Sequence, residues 1–87
     1  MNREIRIKKL LYQSWYRGNR ETDKILGNFA KTNLTNFDNR QLDEFEQILQ
    51  EQDDDIYAWV SLQLEIPKRL KNNSVLKQLI IPQKIVF

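Results

Sequence analysis

Residues 7–30 read IKKLLYQSWYRGNRETDKILGNFA, two amphipathic runs that meet at a glycine. In the first run, Ile7, Leu10, Leu11 and Trp15 recur at the spacing of one helix face. Gly18 interrupts this pattern, and glycine is the residue best suited to the left-handed backbone at a helix C-terminus. The stretch therefore predicts two helices joined by a tight interhelical corner.

Similar amphipathic runs continue along the chain, and together they predict five helices. The expected helices span Asn2–Tyr16, Arg20–Thr32, Asn39–Gln50, Asp54–Glu65 and Val75–Ile80. Asp38 is suited to cap the third helix, and Gln41 can complete a capping box with it. Pro67 is expected to end the fourth helix and Pro82 the fifth, because the residue before a proline is disfavoured in helical backbone.

Several side chains are assigned places within these helices. Leu62 and Leu64 are expected to continue the buried face of the fourth helix. Gly27 inside the second helix costs about 1 kcal/mol relative to alanine, which indicates close packing against a neighbour. Either Asn73 or Ser74 is expected to cap the fifth helix.

The length and composition fit one small helical domain. The chain has 87 residues and a mass of 10.5 kDa, which allows one modest core. Hydrophobic residues make up 40%, but only 2 Gly and 2 Pro are present, whereas an all-β protein of this size needs many tight turns. We therefore predict an all-α fold, a compact bundle of five short helices over residues 1–82, followed by an extended or frayed tail at residues 83–87. No apolar run is long enough to span a membrane.

The residue inventory argues against catalysis. The sequence contains no Cys and no His, which removes thiol catalysis, Cys-ligated metals and the commonest general base. The acidic run Asp53-Asp54-Asp55 is the only metal-like feature, but it lacks the glycine and the distal glutamate of a calcium-binding loop, and it suits a helix start. We therefore predict that the chain is not an enzyme and holds no metal.

The net charge of +2 hides three blocks of opposite sign. Residues 1–24 contain seven basic and three acidic groups, residues 38–55 contain eight acidic groups and one basic group, and residues 66–87 contain five basic groups and no acidic one. A uniformly basic chain would indicate nucleic-acid binding. Alternating blocks instead indicate pairing between helices, a partner with its own mixed surface, or solvated helix faces.

The corner, residues 15–21 (WYRGNRE), is the candidate site. Aromatic residues and arginine carry much of the binding energy at protein interfaces, and Gly18 allows a partner's backbone to approach closely. Arg17 and Glu21 are four residues apart, so an ion pair between them is the alternative to a role in binding. Trp15 suits the core better than a contact surface.

Four blocks of the sequence carry a family resemblance. Residues 17–21 (RGNRE) match an RGxxE signature, residues 10–15 (LLYQSW) and 25–30 (ILGNFA) flank it as expected, and residues 53–60 (DDDIYAWV) match a later block. In these blocks the chain resembles the SdhE-like flavinylation factors, the bacterial relatives of the mitochondrial succinate dehydrogenase assembly factor 2. The resemblance covers about residues 6–79, nearly the whole chain.

The resemblance implies a five-helix protein that binds the flavoprotein subunit of succinate dehydrogenase and, in some members, of fumarate reductase. Such a protein promotes covalent attachment of FAD to a His of that subunit, so FAD belongs to the partner, and this chain is expected to hold no stable cofactor and to act as a monomer. The residues expected to contact the partner are Arg17, Gly18 and Glu21, with Tyr16, Arg20 and Arg6 at the rim of the contact. The implied location is the bacterial cytoplasm, or the mitochondrial matrix if the source is eukaryotic.

Three positions depart from the family pattern, and two alternatives stay open. Asn19 and Thr22 are unusual at the corner and are expected to alter its packing, whereas Asp54 replaces a Pro and changes only a helix start. The alternatives are a helical module for another protein and a nucleic-acid binder that uses the basic N-terminal block. The acidic block at residues 38–55 and the lack of a recognition-helix motif oppose nucleic acid.

Overall fold

The structure, a computed structural model, is built from five α-helices and two short 3-10 turns. It describes the backbone of residues 2–85 and the surroundings of the side chains up to residue 80. The helices are α1 (Arg3–Trp15), α2 (Arg20–Asn33), α3 (Asn39–Leu49), α4 (Asp53–Val60) and α5 (Ser74–Ile85), and the 3-10 turns are Leu34–Asn36 and Lys68–Leu70. The predicted all-α fold of five helices is confirmed, and no strand occurs between residues 2 and 85.

Helices α1 and α2 form an antiparallel pair. Arg3, at the start of α1, donates hydrogen bonds to the backbone carbonyls of Thr35 and Phe37, which lie just beyond the end of α2. The corner joins the opposite ends of the two helices. Helix α3 packs against α5, and α4 contacts both α2 and α5, which gives a body of 36 × 27 × 24 Å.

The core takes side chains from all five helices. Helix α3 shows the pattern most clearly, because its predicted stripe of Leu42, Phe45, Ile48 and Leu49 is buried as expected. The other helices contribute aliphatic residues at helical spacing, among them Leu10, Leu26, Ile56, Val60, Val75 and Leu76. Burial of such side chains stabilises the fold by about 1.5–3 kcal/mol each.

Side-chain caps fix where four of the helices begin, and for α1 the cap is Asn2, whose side-chain oxygen accepts the Ile5 amide at 2.9 Å. Asp38 and Gln41 form the predicted capping box at the start of α3. Asn73 rather than Ser74 caps α5, since its side-chain oxygen accepts the Leu76 amide at 2.8 Å. Asn19 caps α2 by accepting the Thr22 amide at 3.1 Å. A side-chain cap of this kind is worth about 1 kcal/mol.

Helix α4 ends at Val60, so the predicted continuation to Glu65 is wrong. The Gln63 amide bonds to the Ala58 carbonyl at 2.8 Å and the Leu62 amide to the Trp59 carbonyl, which is the bonding pattern of a Schellman motif. Leu62 takes the left-handed position of this motif, with φ 65°, in place of the usual glycine. The chain turns away there, and Leu62 and Leu64 are exposed rather than buried.

Helix α5 runs to Ile85, so the predicted end at Pro82 is also wrong. Proline has a φ close to the helical value and removes only one backbone donor, so a helix can pass through it at the loss of one hydrogen bond and some steric strain. Residues 83–85 of the expected extended tail are therefore helical. Residues 86 and 87 of that tail lie outside the described residues.

Candidate functional site

The corner turns at Gly18, whose φ of 93° lies in the left-handed region. Glycine adopts this conformation without the steric cost that a side chain imposes. A Cβ atom added at Gly18 would meet no atom within 4 Å, so the outer side of the corner is open. The prediction that glycine makes the corner sharp is confirmed, and the open space leaves room for another surface to approach.

The Arg17 side chain points into the protein from this corner, and only 13% of it is exposed. Its Nε donates to Asp53 Oδ1 at 2.6 Å, and its two terminal nitrogens donate to the carbonyls of Leu49 at 2.8 Å and Glu51 at 2.7 Å. The Arg17 amide also donates to Asp23 Oδ1 at 2.9 Å. Each of the three guanidinium nitrogens thus donates to an acceptor of this chain.

Arg17 therefore acts as an internal clamp in the structure. Leu49 is the last residue of α3 and Asp53 the first of α4, so the guanidinium holds the α3–α4 connection against the corner. A cation also suits the carbonyl-rich C-terminus of a helix. The ion pair that Arg17 makes is with Asp53, not with Glu21, so the predicted internal alternative named the wrong acid.

Asp53 and Asp23 are the site residues that the sequence reasoning missed. Asp53 was assigned only to a helix start, yet its carboxylate faces Arg17 from 36 residues away. The available signal was the charge pattern, since a basic corner and an acidic block predict pairing without naming the partners. Thr22 adds to this junction, because its fully buried hydroxyl approaches the Asp53 carbonyl at 3.4 Å.

Trp15 lies behind the corner and packs against α2. A Cβ atom on Gly27 would overlap its indole ring and lie 2.7 Å from Cε3. The predicted close approach at Gly27 is therefore confirmed, and Trp15 belongs to the packing rather than to the outer surface. This contact fixes the distance between α1 and α2, and so it fixes the shape of the corner.

The outer surface of the corner presents aromatic and charged side chains. Tyr16 is 70% exposed and Tyr12 66%, and their rings lie 4.6 Å apart between centroids. A shallow depression of about 260 Å³ lies beside the two rings. Arg20 and Glu21 are exposed on the α2 side of Gly18. Exposed aromatic rings next to an arginine are typical of surfaces that bind other proteins.

Arg6 lies away from the corner and is engaged with α3. Its guanidinium donates to Asp43 at 2.5 Å and to Glu46 at 2.9 Å, and these hydrogen bonds raise the pKa of Arg6 above its usual value. Arg69, in the basic block of residues 66–87, likewise pairs with Glu51, in the acidic block of residues 38–55. The opposite charge blocks therefore pair with each other, between helices α1 and α3 as one of the sequence interpretations predicted, and also between the 3-10 turn Lys68–Leu70 and the α3–α4 connection.

These pairs also bear on the nucleic-acid alternative. The guanidinium groups of Arg3, Arg6 and Arg17 all bond to acceptors within the chain. Phosphate contacts depend on free cationic groups. Three of the basic groups that a nucleic-acid surface would need are instead hydrogen-bonded within the chain. No observation in the described residues favours nucleic acid over a protein partner.

Within the described residues, the molecule shows no group of three or more potential metal-ligating side chains, and none of the described helices is long and apolar enough to cross a membrane. What stands out is an open corner with exposed aromatic and charged groups, supported from inside by a buried arginine clamp. Fold and site together define a small five-helix protein whose candidate site is an interaction surface.

The chain belongs to the Sdh5 family, whose model matches residues 8–81 and is described as flavinator of succinate dehydrogenase. The matched range contains the corner, the clamp, the complete helices α2, α3 and α4, and most of α1 and α5. The family resemblance drawn from the sequence blocks is thereby confirmed.

Curated relatives agree with this assignment. A Meyerozyma guilliermondii protein named succinate dehydrogenase assembly factor 2, mitochondrial, is 41% identical over 80 residues, which is 88% of this chain and 59% of the relative. Proteins of the same name from Candida glabrata and Schizosaccharomyces pombe are 43% and 40% identical, over 82% and 88% of this chain and 48% and 55% of the relatives. The chain thus spans about half the length of the curated relatives it matches.

Proposed function

We propose that this chain is an assembly factor that binds the flavoprotein subunit of succinate dehydrogenase and promotes covalent attachment of FAD to it. The observation that carries the proposal is the geometry of the RGxxE residues in a member of the Sdh5 family. Gly18 opens the corner to solvent, Glu21 is exposed beside it, and Arg17 holds the corner in shape from within.

The contact residues divide into two roles in this proposal. Tyr16, Gly18, Arg20 and Glu21 touch the flavoprotein subunit, because they form the open side of the corner. Arg17, which the sequence placed among the contacts, positions them through its bonds to the α3–α4 connection. Arg6 forms the rim, and its ion pairs with α3 limit how much of its guanidinium can turn to a partner.

In this proposal the chain docks on the flavoprotein subunit, and the attachment of FAD takes place in that subunit rather than in this chain. The sequence contains no His, so the residue that accepts the flavin belongs to the partner, and FAD is the partner's cofactor. The chain, acting as a monomer, stabilises the arrangement in which the acceptor His, the isoalloxazine ring and a dicarboxylate are aligned. Orientation of this kind lowers a barrier by several kcal/mol without a catalytic group from the chaperone.

Client range and location follow from the same proposal. The flavoprotein subunit of fumarate reductase, which is chemically similar, is a second client. Since the relatives carry mitochondrial names, the chain works in the mitochondrial matrix if its source is eukaryotic and in the cytoplasm if it is bacterial.

The test is covalent flavin loading in cells that lack their own factor. The flavoprotein subunit is co-expressed with this chain, denatured, and examined by in-gel flavin fluorescence, while a pull-down with the tagged chain reports binding. The wild-type chain is expected to restore fluorescence and to capture the subunit. Glu21→Ala and Tyr16→Ala are expected to reduce both, with Glu4→Ala, an exposed acid at the far end of α1, as the matched control.

A series at Gly18 separates obstruction from backbone strain. Gly18→Arg adds bulk to the open side, but it also strains a backbone at φ 93°, so a loss of loading with this variant alone could come from either effect. Asparagine tolerates the left-handed region better than other non-glycine residues, so Gly18→Asn fills less space at lower strain. Loss of loading with arginine and retention with asparagine supports obstruction of an interface. Full loading with both Gly18→Arg and Glu21→Ala would show that the corner is not the interface.

A further inference from the structure

A second surface, which shares no residue with the corner, lies where α4 ends and α5 runs past it. It is a groove of about 520 Å³ whose apolar lining is formed by Trp59, Leu62, Leu64, Ile66 and Ile80. Leu62 is 48% exposed and Leu64 58%, although both are large aliphatic side chains. Apolar grooves of this size with a few polar groups at the edge are typical of binding sites.

Leu62 is a costly residue at its position. Its φ of 65° makes it the only non-glycine residue with positive φ among those described, and the Schellman motif there normally uses glycine. A leucine in left-handed backbone is disfavoured, and its half-exposed side chain recovers little of that cost by burial. Neither the helix end nor the core accounts for a leucine here, whereas a ligand that covers its side chain does.

The charge around the groove selects the ligand. Lys71 and Lys77 line it, and among the described residues neither lies within ion-pair distance of a carboxylate. Glu65 is the one acidic side chain in the lining. Two lysines against one glutamate give the lining a net positive charge.

We propose that this groove binds an amphipathic, acidic segment of a partner protein. The apolar side chains of the segment cover Leu62 and Leu64, and its carboxylates pair with Lys71 and Lys77. Apolar contact then provides most of the affinity, and the charges exclude basic or neutral segments. This surface acts in addition to the corner, so a client or a further assembly protein can be held at two points.

The experiment uses the isotope-labelled chain and a synthetic peptide with leucines on one helical face and glutamates on the other. Amide chemical shifts are expected to change in residues 61–66 and around residues 71 and 77, and not at the corner. A peptide in which every glutamate is replaced by lysine is expected to bind at least about tenfold more weakly, since like charges then face each other. The affinity for the acidic peptide should fall steeply with salt.

Variants test the two halves of the site separately. Leu62→Gly preserves the helix end and removes an apolar contact, so it should weaken acidic-peptide binding by about tenfold. Lys71→Glu combined with Lys77→Glu should weaken it by at least as much. Ile5→Ser, which removes a comparably exposed aliphatic side chain on α1, is the matched control, and Lys8→Glu with Lys24→Glu is the charge control; both should leave the affinity unchanged.

Three results would overturn the proposal. The first is the absence of residue-specific shifts with the acidic peptide, or shifts that map to α1 instead. The second is equal affinity for the acidic and the basic peptide. The third is a concentration-dependent dimer in sedimentation that Leu62→Gly dissolves, because a second copy of this chain would then be what covers the groove.

Discussion

The indole ring of Trp15 occupies the space that a side chain at Gly27 would need. Glycine inside a helix is less favourable than alanine by about 1 kcal/mol, so this position trades helix propensity for a close approach of α1 to α2. The exchange matters for the proposed function, because these two helices carry the two sides of the corner. Their spacing sets where Tyr16 and Glu21 stand relative to each other.

Gly27→Ala is therefore expected to destabilise the protein, although alanine is the better helix former. The added methyl group would force the indole of Trp15 to move, and overpacking of this kind costs about 1–3 kcal/mol. Urea unfolding should show a lower midpoint with an unchanged slope. Asn28→Ala, at the exposed neighbouring position, is the control and should leave the midpoint similar or higher. A midpoint for Gly27→Ala equal to or above that of the wild type would show that the ring has room to move.

Arg17→Lys should reduce both stability and flavin loading. Lysine keeps a charge near Asp53 but lacks the planar fork that reaches the Leu49 and Glu51 carbonyls at the same time. Unmet acceptors in a partly buried site cost about 1–3 kcal/mol, so the urea midpoint should fall. Arg20→Lys, at the exposed arginine of the corner, should leave the midpoint unchanged.

The comparison with Glu21→Ala distinguishes positioning from contact. Glu21→Ala should lower flavin loading without lowering the urea midpoint, since the Glu21 side chain is exposed and makes no hydrogen bond among the described residues. Arg17→Lys should lower both. If Arg17→Lys abolishes loading while the midpoint stays at the wild-type value, Arg17 contacts the partner directly, as the sequence-based hypothesis held.

The overall fold was predictable from the sequence because its signals are local. Helix α3 shows this best: one capping box and one apolar stripe fix its start and its buried face, and both lie within a dozen residues. The end of α4 was not predictable in this way. A Schellman motif usually has glycine at its left-handed position, and here Leu62 takes that position. The apolar spacing of the sequence therefore favoured a longer helix that would end near Pro67.

The site was predictable in its position but not in its internal geometry. The RGxxE residues and the exposed aromatic ring at the corner stand together in the sequence. The acceptors of Arg17, in contrast, are two backbone carbonyls and a carboxylate more than 30 residues away. Every residue has a backbone carbonyl, so the residue type does not indicate which carbonyls accept a hydrogen bond from an arginine. No pattern of side chains therefore distinguishes an arginine that binds its own chain from one that points outward.

Leu62→Gly is expected to stabilise the isolated chain. Glycine removes the steric cost of φ 65°, about 1–2 kcal/mol for an L-residue, which exceeds the cost of about 0.4–1 kcal/mol that glycine adds through the entropy of the unfolded chain, and the side chain that is lost is half exposed. The urea midpoint should rise. Leu64→Gly is the matched control, since Leu64 is also exposed but has no positive φ. At this position glycine relieves no strain and increases the entropy of the unfolded chain, so the urea midpoint should fall or stay level. A lower midpoint for Leu62→Gly would mean that the leucine side chain packs more than its exposure indicates.

The Glu51–Arg69 pair should give the protein an acid-sensitive contribution to stability. Hydrogen bonds from Arg69 lower the pKa of Glu51, whose side chain is only 12% exposed. A carboxyl whose pKa is lower in the folded state stabilises the protein above its unfolded pKa, about 4.5, and this contribution is lost as the pH falls through the folded pKa. The free energy of unfolding, measured by urea at a series of pH values, should therefore drop below about pH 4.5.

Glu51→Gln isolates this contribution from the other carboxylates. The difference in free energy of unfolding between wild type and Glu51→Gln should be largest above pH 4.5 and should shrink toward acid pH, because the wild-type carboxyl is then protonated as well. Asp54→Asn, at an exposed acid with no ion pair among the described residues, should show a difference that is small throughout. A wild-type advantage over Glu51→Gln that stays constant from neutral to strongly acid pH would mean that the contact with Arg69 stabilises the protein through packing and neutral hydrogen bonds rather than through charge.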